Sequence, residues 1–308
     1  MTYLTKLNEI YINELKKKTG WIIYGQNIKS GSYVTGLTRN IETIKKSKLI
    51  NTTNSEYSTI GMGFGIMING GHAVYFVKQL DFLLLGVDHF VNTLNHIKTQ
   101  NSLMKKKIGS FTIITYVCDH GWHGSQSSFN NIDDLTSLAQ LNSYQINTEF
   151  EGKKIIPKIL KSKGFNIISL GQRLIRKNIL TNNAKNFSKD LSVFEYFDSR
   201  DCLIISMNFA FTYAMEIKKK LTQKLKYKHV GILNINFNNK INERFILNKV
   251  KKQKKIIIIT DTKSINSRLF RLIPKIQEKY NKKIQIIKRD RFNWNIQQDL
   301  FNYKLDIN

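Results

Sequence analysis

Asn51-Thr52-Thr53-Asn54-Ser55-Glu56-Tyr57-Ser58-Thr59-Ile60-Gly61-Met62-Gly63-Phe64-Gly65, closing on Asn69-Gly70-Gly71, predicts a helix over residues 56–68. The apolar run at 73–77 beyond the Gly-Gly turn reads as a buried strand. Working outward, Leu4, Leu7, Ile10, Tyr11 and Leu15 have helical spacing, and Trp21-Ile22-Ile23-Tyr24-Gly25 after Gly20 reads as a second buried strand. Downstream come a helix over 81–97, a strand at 111–117, a helix around 155–161 and a strand at 165–170. Strands that are continuous apolar runs, alternating with helices, predict a parallel sheet covered on both faces. Residues 181–200 lose this periodicity and read as a linker. The pattern then restarts, with strands at 203–207, 230–235, 255–261 and 283–288 alternating with helices over 211–225, 242–250 and 264–278. The expected fold class is α/β with two doubly wound domains, a larger one over 1–180 and a smaller one over 201–308.

Composition narrows the function classes. With 308 residues, 41% of them hydrophobic, the chain is long enough for two packed domains and too apolar for disorder. No apolar run approaches the roughly 20 residues that span a bilayer, and the first residues show no basic segment followed by an apolar stretch, so neither membrane nor export is expected. Cys118 and Cys202 lie far apart in apolar runs, which argues against a disulfide or cysteine metal site and for a reducing cytoplasm. The net charge of +27 invites a nucleic-acid reading. However, lysine outnumbers arginine 40 to 9, and its runs at 16–18, 105–107, 218–220 and 251–252 fall at helix ends or turns. Solvated surface is therefore the expectation, and nucleic acid is not an expected partner.

The opening stretch resembles transketolases and the beta subunits of the decarboxylating component of 2-oxo-acid dehydrogenases. In that family a strand ends in a Ser/Arg-Glu pair, and a helix with small residues on one side leads to a Gly-Gly turn; Ser55, Glu56 and Gly70-Gly71 match. Asp81-Phe82-Leu83 and Gly86-Val87-Asp88-His89-Phe90-Val91-Asn92 are similar to the family's Asp-Phe and Asp-Gln-Ile-Val-Asn segments. Gly25-Gln26-Asn27-Ile28, Gly31 and Thr35-Gly36-Leu37 look like its Gly-Glu-Asp-Val and Thr-x-Gly-Leu segments. The resemblance implies a pyrimidine-binding domain, a transketolase-type C-terminal domain and thiamine diphosphate as cofactor.

Glu56 then has a chemical role. The reactive carbon of thiamine is deprotonated by the cofactor's own amino group once the pyrimidine shifts to its imino form. A carboxyl group at the pyrimidine ring nitrogen drives that shift, best in an apolar pocket where it holds or shares a proton. Taken alone, Glu56 reads first as a first-turn glutamate stabilised by the helix dipole, and the surrounding glycine pattern reverses that preference. Phe82 matches an aromatic that packs on the aminopyrimidine, and Gln79 stands where the family usually has a second aromatic, making that wall partly polar. In Cys118-Asp119-His120-Gly121-Trp122-His123-Gly124-Ser125-Gln126-Ser127, His123 and His120 are the candidates for a histidine that orients substrate or relays protons. Gly124 sets His123 one place off the family's His-Ser-Gln pattern, and Asp119 with the two histidines is a weak alternative metal set.

The family holds Mg²⁺ and diphosphate through a Gly-Asp-Gly motif, and none occurs in this sequence. The expectation is therefore no metal ligand in this chain and a partner of alpha type that binds the diphosphate and Mg²⁺, as in an alpha2beta2 heterotetramer acting on a small 2-oxo acid or ketose. The alternatives are half of a split transketolase and a catalytically silent assembly partner with the same fold.

Overall fold

The computed structural model describes residues 1–104, 107–118, 130–224, 227–262 and 267–287. Helix α1 (Tyr3–Lys16) starts at Thr2, whose side chain accepts from the Thr5 N–H at 3.3 Å, and it buries Leu7, Ile10, Tyr11 and Leu15 on one face. The first sheet is built from β1 (Trp21–Gly25), β2 (Lys48–Asn51), β3 (His72–Val77), β4 (Ser110–Val117), β5 (Ser143–Ile146) and β6 (Gly164–Gly171). Its order is β2-β1-β3-β4-β6-β5 and every pairing is parallel. Between these strands run α2 (Glu56–Ile68), α3 (Leu94–Met104), α4 (Ile132–Ala139) and α5 (Glu149–Lys161). β4 is buried along its whole length, as the continuous apolar run requires of a central strand.

The second sheet contains β7 (Asn186–Phe187), β8 (Val193–Tyr196), β9 (Cys202–Met207), β10 (Val230–Ile235), β11 (Lys255–Thr260) and β12 (Ile284–Ile287), in the order β12-β11-β9-β10-β8-β7. Helices α6 (Phe211–Lys224), α7 (Glu243–Val250) and α8 (Arg268–Tyr280) connect its parallel strands. The two-domain α/β class is as expected. Residues 181–200 differ from a linker: they supply β7 and β8, which join the second sheet antiparallel. Their polar residues hid this, because Ser188, Ser192 and Glu195 are buried within hydrogen bonds instead of facing water.

Two further differences bear on the site. The helix expected over 81–97 is broken into a 3-10 segment (Leu80–Gly86), one wide turn (His89–Thr93) and α3. Gly86 explains the tight segment, since a Cβ there would lie 2.5 Å from the Ile60 side chain and 3.5 Å from the Glu56 carbonyl oxygen. The chain can approach α2 this closely only without a side chain. Secondly, β5 is a sheet edge covered by the second domain. The Gln145 N–H donates to the Asn236 carbonyl at 2.9 Å, and Asn236 Nδ2 returns a bond to the Gln145 carbonyl at 2.7 Å. Among the described residues no helix is long and apolar enough to cross a membrane.

Candidate functional site at the carboxyl edge of the first sheet

A parallel sheet presents all its carboxyl ends at one edge, where α/β proteins bind ligands. Here Gly25 pairs with Asn51 and with Phe76, and Val77 with Thr115, so the ends of β2, β1, β3 and β4 are level neighbours. Ser55 and Glu56 leave this edge after β2, and Gln79 and Phe82 leave it after β3. The loop after β4 begins at Cys118, and its His120 and His123 lie outside the described residues. Gly86 brings the segment that carries Phe82 against the first turn of α2, which carries Glu56.

Glu56 is the first residue of α2 and is half-buried. Its carboxylate makes no hydrogen bond or ion pair among the described residues, so it does not close a cap on backbone N–H groups. Ser55 holds the N-cap position without a side-chain cap bond and instead donates to Ser58 Oγ at 2.9 Å. Beneath this turn lies a buried tyrosine pair: Tyr24 and Tyr75 stack with ring centroids 4.9 Å apart. The Tyr24 hydroxyl donates to the Thr59 carbonyl at 2.8 Å, and Thr59 Oγ1 lies 2.9 Å from the Tyr75 hydroxyl. Burial pushes the Tyr75 phenol up to about 12, with Thr59 opposing and the nearby charge of Glu56 adding to the rise. These contacts fix the start of α2 on β1 and β3.

Gln79 is buried and its carbonyl accepts from the Phe82 N–H at 3.2 Å, while Phe82 is half-buried against the main core. Asp81, between them, is buried and accepts from Asn131 Nδ2, which ties this segment to the residues just before α4. Tyr24, Thr59 and Tyr75 anchor the start of α2, and hydropathy reading misses this because they sit in or beside runs that read as core. The available signal is chemical: a tyrosine within an apolar strand needs a partner for its hydroxyl.

No protein-family profile matches this chain, and no curated protein does. Among solved structures it is similar to a split-gene transketolase in an inactive beta4 tetramer, with a TM-score of 0.65 and 10% sequence identity. The match covers 94% of this chain and 90% of that one. The chain has a transketolase-like fold.

Proposed function

We propose that this chain is the pyrimidine-activating, beta-type subunit of a heteromeric thiamine-diphosphate enzyme. The observation that carries the reading is Glu56, a half-buried carboxylate with no bond among the described residues, placed at a sheet's carboxyl edge beside Tyr75. That donor set fits an aminopyrimidine, a flat ring with a polar nitrogen edge, which needs one uncommitted carboxyl group and an apolar wall. When bound, thiamine diphosphate supplies a carbon nucleophile that cleaves the bond next to a carbonyl group. Glu56 holds the proton at the pyrimidine ring nitrogen, Phe82 walls the ring with Gln79 beside it, and Ser55 shapes the turn that presents Glu56. His123 or His120 orients the substrate, a 2-oxo acid or a ketose.

The diphosphate and Mg²⁺ are assigned to an alpha-type partner bearing the Gly-Asp-Gly motif absent here, in an alpha2beta2 assembly. The surface of α2 supports a partner: Tyr57, Met62 and Ile68 are exposed along it, and Leu84 and Leu85 are exposed on the adjoining segment. A Cβ added at Gly65, on the same helix, would meet nothing within 4 Å, leaving room for close approach. Half of a split transketolase satisfies the same geometry, and the structural neighbour, inactive as a tetramer of its beta chain, favours that form. A silent assembly partner is favoured by the polar Gln79 in the expected aromatic wall and by the displacement of His123 from the family's His-Ser-Gln pattern.

Calorimetry on the purified chain tests the division of labour. Thiamine diphosphate with Mg²⁺ is expected to bind weakly or not at all, and a Gly-Asp-Gly-bearing partner is expected to restore tight, Mg²⁺-dependent binding. Micromolar affinity of the chain alone would overturn the assignment. In the assembled enzyme, Phe82→Ala is expected to weaken cofactor binding more than it lowers the stability of the free chain, because the ring is only half-buried without ligand. A loss of free-chain stability of ~3–5 kcal/mol, the cost of emptying a full core site, would make Phe82 a packing residue instead.

A further inference from the structure

A second concavity lies at the carboxyl edge of the other sheet. The chain leaves β9 toward β10 on one side, whereas β11 leads away to β12 on the other, so a topological switch point falls between β9 and β11. Helix α4 of the first domain covers this edge. Its Asp133 accepts from Asn208 Nδ2 at 3.2 Å, just beyond β9, and from Asn238 Nδ2, just beyond β10. Between α4 and the first turn of α8 a cavity of about 140 Å³ remains, with Arg268 and Arg271 on one wall and Gln140, Ser137 and Asn238 on the other. At about 30 Å³ per water, that is room for four or five waters, or for one phosphoryl group with part of its ester.

The charges in this cavity are unbalanced. Arg271 makes no hydrogen bond or ion pair among the described residues, and Arg268 reaches only Asn239 Oδ1, at 3.5 Å. Asp133 is the one acidic residue in the lining, and its two oxygens are engaged by the Asn208 and Asn238 side-chain amides. The amide of Gln140 is uncommitted among the described residues. Asn238 is 3% exposed, yet its Oδ1 has no hydrogen-bond partner among the described residues. The Ser267 side chain makes no capping bond to α8, a 13-residue helix whose positive end therefore adds to the two guanidinium groups.

We propose that this cavity is a binding site for the phosphoryl group of a small phosphorylated metabolite, held by Arg268 and Arg271 and separate from the Glu56 site. A phosphoryl group carries a charge of roughly −1.5 to −2 near pH 7, which matches two guanidinium groups that can each present paired N–H donors. A hydroxyl group on the ester part of the metabolite would donate to Asn238 Oδ1, an acceptor that the phosphoryl oxygens cannot satisfy. A single carboxylate offers half that charge and no third oxygen for Gln140.

Isothermal titration of the full chain with inorganic phosphate, at constant ionic strength set with chloride, tests the site, with acetate as a parallel titrant. The expected result is saturable one-site phosphate binding, at least tenfold tighter than acetate. Arg271→Gln and Arg268→Gln should each weaken it at least tenfold with unchanged melting temperatures, and Arg244→Gln, exposed on α7 outside the cavity, should leave it unaltered. Arg271 is exposed, so its replacement keeps the test valid if Arg268→Gln perturbs folding. Non-saturable binding, equal affinity for acetate, or phosphate binding that survives both arginine replacements would overturn the proposal.

Discussion

Glu56→Gln, in the complex with a diphosphate-binding partner, is expected to slow hydrogen–deuterium exchange at the reactive carbon of bound thiamine diphosphate by roughly 10²–10⁴-fold, the range of general acid–base catalysis. The fold and the subunit assembly should be unchanged. Glutamine keeps the size and polarity of the side chain but cannot share the proton that favours the imino form of the pyrimidine. Structure should not suffer, because the Glu56 carboxylate has no partner among the described residues and its removal breaks no bond there. A change of stability within about ±0.5 kcal/mol is expected, as for other substitutions away from buried networks. Exchange measured by quenched-flow NMR precedes any substrate, so it separates the role of Glu56 from the choice between a 2-oxo acid and a ketose. Unaltered exchange in the variant would reduce Glu56 to a first-turn glutamate favoured by the helix dipole.

How much of this was legible depended on which residues obey hydropathy. Trp21–Gly25 and Glu56–Ile68 have the bounds that their apolar spacing predicts. The parallel sheet follows from largely apolar strands such as Ser110–Val117, which is buried throughout. Glu56 and Phe82 were legible only through the resemblance, and the close approach at Gly86 that sets their two segments side by side was hidden by the apolar spacing of 81–97, which reads as one helix. What else stayed hidden lies along the contact between the domains. Ser143, Gln145, Asn147 and Thr148, with Asn208, Asn234, Asn236 and Asn238, are buried but polar, and they bond to one another and to the backbone across that contact. A reading based on apolar period takes such residues for loops, and so β5, β8 and the start of α5 escape it. Tyr24, Thr59 and Tyr75 escape for the opposite reason: each looks like ordinary core until its hydroxyl is followed to a partner.

The largest stability effect is expected at Glu151, which closes this polar contact. It is fully buried in the first turn of α5, in a capping box with Thr148. One carboxylate oxygen accepts from the N–H groups of Asn147 and Thr148 at 2.7 and 3.2 Å; the other accepts from the Tyr196 hydroxyl and Asn234 Nδ2, each at 2.8 Å, both in the second sheet. Glu151→Ala strips all four donors at once. Tyr196 retains Thr148 Oγ1 at 3.1 Å, but Asn234 Nδ2 and the two backbone groups at the helix start lose their acceptor, since Ser206 Oγ donates to Asn234 Oδ1 and not to its amide nitrogen. At roughly 1–3 kcal/mol for each buried group left unpaired, a loss of about 3 kcal/mol or more is expected by urea denaturation. The pH dependence has a definite sign. Burial raises the Glu151 carboxyl above its ordinary value of 4.5, with Asn234, the Asn147 N–H and Tyr196 opposing the rise. Below that value both folded and unfolded chains hold the proton. From there up to the raised folded value the native state holds more of it, so the contribution of Glu151 to stability falls as pH rises through this window and is constant above it. Glu151→Gln cannot titrate, and the difference between its urea-midpoint profile and that of the unaltered chain isolates the group from Asp133, whose carboxyl burial raises in the same direction. The gap between the two profiles should shift against the unaltered chain as pH climbs from about 4.5; a gap independent of pH would mean that Glu151 enters the folded state ionised at its ordinary value.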